Sequence, residues 1–268
     1  MTLAECAVAL AAGALVLAAL HALLLLASRA RTAEAARVEA RASARAAAAV
    51  LRAELQSVSA AAGDLVALDD TALTIRALRS HGSTCAQPAG DRVTVRSSSW
   101  AALRAPDPAR DVARIFLEGD PDDPSDDTWW VAGIRAVGTA ACPDGAPGIL
   151  LTLAQPAPAA IAVGAPVRVL ETVEYRAYCV TTAECWLGTR TRSVTGWSTT
   201  SPIVGPLRPG AGLHVEAHAQ TGAITAQPAA AALLVVAVRT RASQLAVRPG
   251  GARVPVDDSL WLAIPVGP

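Results

Sequence analysis

From Cys6 to Ala27 the chain runs 22 residues without an Asp, Glu, Lys or Arg. As a helix rising 1.5 Å per residue, such a run reaches about 33 Å, enough to cross the roughly 30 Å hydrocarbon layer of a bilayer. The run therefore reads as a membrane-spanning segment. A secretory signal peptide has a basic leading end, a shorter apolar core and a small-residue cleavage site before a new domain; here the helical pattern continues without a break.

After Ser28 the residues Arg29, Arg31, Glu34, Arg37, Glu39, Arg41, Arg45, Arg52 and Glu54 stand in a background of Ala, the strongest helix former. No Gly or Pro interrupts this stretch before Gly63. Ala36, Ala40, Ala44, Ala47, Leu51, Leu55 and Val58 recur at steps of three and four, which draws one apolar stripe along a helix and demands a partner surface. The pattern predicts a single helix over residues 1–60, about 90 Å long, with a lipid-soluble half at 1–28 and an amphipathic half at 29–60. Leu51, Leu55 and Val58 are expected to pack on the sheet of the region that follows.

From Gly63 the hydrophobic period changes to two. Leu73–Ile75, Arg92–Val95, Ile115–Leu117, Trp129–Val131, Ile149–Leu153, Val167–Cys179, Leu213–Ala217, Leu233–Val238 and Leu260–Ile264 read as strands, separated by turn-rich stretches such as Gly119-Asp120-Pro121. The uncharged run Ala229–Val238 is too short for a bilayer and suits a buried strand. The expected fold class is α+β, a long N-terminal helix packed on an antiparallel β-rich head over residues 61–268.

Four cysteines fall in the head. Cys179 and Cys185 bracket a five-residue turn, so the hairpin places them opposite each other within disulfide reach, and Cys85 with Cys142 follows by elimination. Paired thiols imply an oxidising compartment.

The remaining composition excludes more than it assigns. All 23 cations are Arg and balance 23 acids, so no bulk charge draws the chain to nucleic acid. Without Lys, a Walker-type phosphate loop and a Schiff-base nucleophile are excluded, and without Asn so is N-glycosylation. His214, Glu216 and His218 share a strand face at a spacing that can chelate zinc, but a solvated face is the favoured reading. Asp120, Asp122, Asp123, Asp126 and Asp127 form an acidic loop without the central Gly and closing Glu of a calcium-binding EF-hand. Ser198 lacks the second Gly of a nucleophile elbow, and His81 near Ser83 is proximity in sequence alone. The expectation is a structural protein rather than an enzyme, with no metal and no cofactor. Of six tryptophans most are assigned to the core, with one ring of Trp129-Trp130 offered to an interface.

Met1-Thr2-Leu3-Ala4-Glu5, followed by the charge-free helix and its amphipathic extension, resembles the mature end of type IV pilins and pseudopilins, whose pattern is Phe-Thr-Leu-x-Glu after a cleaved leader. The match holds at Thr2, Leu3 and Glu5; Met1 replaces Phe, and Ala22 stands near where major pilins have Pro. Gly63-Asp64-Leu65-Val66, the run Leu103–Arg110 and Trp186-Leu187-Gly188 resemble the large minor pilins of the PilW type. The resemblance implies a structural subunit of a type IV pilus-like filament, processed by a leader peptidase. It would be held in the inner membrane with its head outside, then assembled on the cell surface against identical or homologous subunits. It also implies an assembly site at Met1 and Glu5, where the α-amino group of residue 1 or of a neighbour partners the carboxylate. Arg29 and Arg31 follow the helix on the outer side, against the positive-inside tendency, and a removed basic leader reconciles this. A J-type pseudopilin of type II secretion and a non-polymerising, signal-anchored envelope binding protein are the alternatives.

Overall fold

The computed structural model describes residues 2–120, 122–123, 125–247 and 252–266. One helix, α1 (Leu3–Leu55), spans 53 residues and about 80 Å. It ends five residues before the expected 60. The Ala background gives way at Gln56-Ser57-Val58-Ser59, where serines compete with helical bonding: the Ser59 hydroxyl accepts the Ala62 N–H at 3.1 Å, and the Asp64 carboxylate accepts the Ser59 N–H at 3.3 Å. Val58 and Ala60 thus reach the core from a turn, not from the helix.

The rest is antiparallel β structure. In chain order the strands are β1 (Leu65–Asp69), β2 (Ala72–Ser83), β3 (Arg92–Arg96), β4 (Ala101–Ala102), β5 (Asp111–Leu117), β6 (Thr128–Ala141), β7 (Pro147–Leu153) and β8 (Pro166–Cys179). They continue with β9 (Cys185–Ser193), β10 (Gly196–Trp197), β11 (Ser201–Leu207), β12 (Leu213–His218), β13 (Leu233–Arg241), β14 (Ala246–Val247), β15 (Arg253–Val254) and β16 (Asp257–Pro265). The nine period-two runs all fall inside strands, and the main sheet runs β12-β13-β11-β9-β8-β5-β6-β7-β3. β8 is its organising strand. It pairs with β2 along one edge, while its other edge takes β5 and then β9.

This arrangement creates two large hydrophobic cores and a small third cluster of Ala36, Ala40 and Ala242. The first gathers Leu51, Leu55 and Val58 from the helix side with Leu73, Ile75, Val173, Leu187, Leu234, Val236 and Leu262. The second, beyond the helix, gathers Val93, Val95, Ile115, Ile134, Leu151, Leu153, Val167 and Val169. Disulfides join Cys85 to Cys142 beside the second core and Cys179 to Cys185 across the mouth of the β8–β9 hairpin, where the two residues are directly paired.

The tryptophans depart from the core assignment: among the described residues none is fully buried, and Trp261 is 56% exposed. Aliphatic side chains make up most of both large cores, and arginines cover the rings of Trp129, Trp197 and Trp261 instead. Arg114 and Arg168 lie 5.6 and 5.8 Å from the Trp129 ring, which also meets Phe116 edge-on, and Arg190 lies 4.7 Å over Trp197. Trp130 faces the other way and packs on the second core.

Candidate assembly site

The two halves of α1 meet different surroundings because their sequences present different faces. Ala36, Ala40, Ala44, Ala47, Ala48, Leu51 and Leu55 are buried, so the stripe lies against the head. Small side chains let the helix backbone come close. The Ala40 carbonyl accepts the hydroxyl of the buried Thr240 at 2.7 Å, and Ser43 donates to the Gly205 carbonyl at 3.0 Å.

At the far end of the stripe the helix is held by charge. Arg79 on β2 donates to Glu54 at 3.0 Å and to Glu171 on β8 at 2.7 Å, and Arg104 lies 3.1 Å from the same Glu171. Burial opposes ionisation of Glu171, but Arg79 and Arg104 prevail and hold its pKa below the ordinary carboxylate value. Burial also pushes the Tyr175 phenol up, with Glu54 beside it adding to the effect. Below the helix end, the fully buried Asp64 receives Arg114 at 2.6 Å and Arg168 at 3.2 Å. Burial lowers the Arg114 pKa, helped by Arg76 and Arg168, while Asp64 pulls the other way.

The first half of α1 packs against no other element among the described residues. Every residue from Thr2 to Ser28 is exposed, including Leu10, Leu15, Leu17, Leu24 and Leu26, and the segment is long and apolar enough to cross a membrane. It projects about 40 Å past the part that packs on the head. A helix apolar on all sides is stable only in lipid or among other apolar helices.

At its tip Glu5 has a local partner. Its carboxylate accepts the Thr2 N–H at 2.8 Å while the Thr2 hydroxyl accepts the Glu5 N–H at 3.4 Å, so the two residues form a reciprocal capping box. Met1, the other residue assigned to this site, lies outside the described residues. Thr2 is the residue whose role the sequence reading missed, although Thr-x-x-Glu ahead of an apolar helix is the signature of that cap.

The other candidate constellations do not assemble. Among the described residues no group of three His, Cys, Asp or Glu side chains is placed to hold a metal ion. His214 and His218 flank Glu216 at 3.9 and 3.6 Å on a half-buried face, and His214 is bonded through Nδ1 to Asp70. In the acidic loop Asp120, Asp123 and Asp126 accept backbone N–H groups of the loop itself. The Ser198 hydroxyl accepts the Thr191 N–H and donates to the Thr199 carbonyl, and the Ser83 hydroxyl donates to Ser99.

No family model, curated protein or solved structure matches the chain.

Proposed function

We propose that the chain is a structural subunit of a helical filament of the type IV pilus kind. The observation that carries this reading is the division of one unbroken helix: the second half is fixed to the head by an alanine stripe, a buried hydrogen bond and an ion network, while the first half is exposed along its whole length among the described residues. A head held rigidly on a long apolar rod can exchange lipid for neighbouring rods without refolding. Lipid tails and apolar helices are about equally apolar, so polar groups must set the register of that exchange. Glu5 is the acid available for it within the apolar half. The two disulfides support an oxidising side of the membrane for the head.

One observation favours a lone membrane-anchored protein instead: Glu5 already has an acceptor role inside its own chain, at the Thr2 N–H. Filaments isolated without detergent, with peptides of this chain identified in them by mass spectrometry, decide between the two. The filament reading expects the chain among their peptides, and its recovery only in detergent-solubilised membrane would sink that reading.

A further inference from the structure

The sheet forks at Thr172. β2 pairs with β8 from Pro166 to Arg176, but on the opposite edge β5 takes Val167–Glu171 and β9 takes Val173–Cys179. Strands that leave one edge with different twist diverge. The start of β5 and the end of β9 are tied by a backbone bond from the Val194 N–H to the Ala109 carbonyl at 3.0 Å, and a cleft of about 570 Å³ opens beside that tie.

Its apolar lining includes Val66, Val112, Val131 and Ile134, and its charged lining is Arg76, Arg110, Arg135, Arg192 and Asp111. Asp111 is neutralised from behind, because its two oxygens accept Arg104 at 2.6 and 2.7 Å. Arg110 is engaged by Asp107 at 2.9 Å and by Glu171 at 3.2 Å. The other three guanidiniums have no carboxylate within ion-pair distance among the described residues. Arg76 donates to the Gly63 carbonyl, Arg135 donates to the Ala154 carbonyl at 3.0 Å, and Arg192 lies 5.9 Å over the Trp197 ring. In a chain with equal numbers of acids and bases, this cleft collects uncompensated positive charge.

We propose that the cleft binds a small organic polyanion, a ligand with an apolar body and two or more oxyanion groups. Guanidinium groups pair with carboxylate, phosphate or sulfate through two parallel N–H bonds, and the aliphatic lining gives the body of the ligand a dry contact. The volume lies within the range of sites for ligands of drug size. The inference needs only the head and stands apart from the filament reading.

The test uses the full chain in a neutral detergent, titrated calorimetrically with trimesate, a benzene ring bearing three carboxylates. Saturable binding of one equivalent is expected, weakening as salt is raised. Pyrophosphate, which has the charge but no apolar body, and benzoate, which has the ring but one charge, are both expected to bind more weakly. Arg135→Gln combined with Arg192→Gln removes two guanidiniums held by a carbonyl and a ring, leaves the Glu171 network in place, and should weaken trimesate binding about tenfold or more. Gly133→Leu acts without changing charge. A Cβ there meets only the Ala154 Cβ, at 3.5 Å, so the position tolerates a side chain, and that side chain would occupy the cleft. Thermal unfolding of the variants at wild-type temperature shows that any loss is not misfolding. No saturable trimesate binding, or binding left unchanged by both variants, overturns the proposal; pyrophosphate binding as tight as trimesate overturns the requirement for an apolar body.

Discussion

Arg79 on β2 reaches across to Glu54, the penultimate residue of the helix, at 3.0 Å. The same guanidinium holds Glu171, so a single side chain ties the rod to the central strand. Arg79→Met leaves two carboxylates, one of them almost fully buried, without that cation. Removing one partner of a buried ion pair typically costs about 3–5 kcal/mol, and the loss should appear in the urea midpoint of the head.

Acid should loosen the same joint. The Glu171 pKa is lower in the folded chain than in the unfolded one, so its contribution to stability is complete above the ordinary glutamate value and is lost as pH falls through the depressed folded value. Denaturant curves taken at successively lower pH should show the decline. Glu171→Gln should be less stable at neutral pH and should show a shallower acid limb; an unchanged limb would mean that other carboxylates set it.

Two leucines on one helix should behave oppositely. Leu55 is fully buried, so Leu55→Ala should cost about 2–5 kcal/mol of head stability. Leu24 is 69% exposed, and Leu24→Ala should leave head stability within about 0.5 kcal/mol of wild type. A small effect at Leu55 would mean that the stripe packs against other subunits and not against the head.

The disulfides should differ in weight. Cys85–Cys142 closes a chain separation of 57 residues and Cys179–Cys185 one of 6. Loop-closure entropy gives about 4 kcal/mol for the first and about 2 kcal/mol for the second. Paired Cys→Ala replacements compared by chemical denaturation measure the ratio, and non-reducing peptide mapping should find these two links and not the crossed ones.

At Glu5 two substitutions separate cap from charge. Gln keeps an acceptor for the Thr2 N–H and loses the charge, whereas Leu loses both. If charge sets register between subunits, both variants insert in the membrane with an intact head and both enter filaments poorly. Normal assembly of Glu5→Gln alongside failure of Glu5→Leu would assign the requirement to the helix cap.

Features written in local period were legible in the sequence. The charge-free run, the alanine stripe and the alternating strands each follow from neighbours within a turn or two of chain, and so does the Cys179–Cys185 hairpin. What escaped was long-range or broken in pattern. β11 carries Pro202 and Pro206, and its pairing with β9 shifts register twice, so no clean alternation marks it as a strand. Asp64 and Glu171 look like surface acids until arginines from distant strands are brought to them, and Asp111 until the preceding loop folds Arg104 back onto it. The cleft arginines, at positions 76, 110, 135 and 192, share no spacing and come together only because β8 changes partner at Thr172.

That change of partner also decides how force would travel through the molecule. β8 runs from one core to the other and β2 stays paired with it over eleven residues, so tension between the rod and the far core is shared by two covalent backbones side by side. The β5 and β9 arms lie beside this tie and meet each other at the fork through the Val194–Ala109 bond. Stretching along β8 is therefore resisted by two backbones, whereas spreading of the two arms at Thr172 is opposed by the Val194–Ala109 bond.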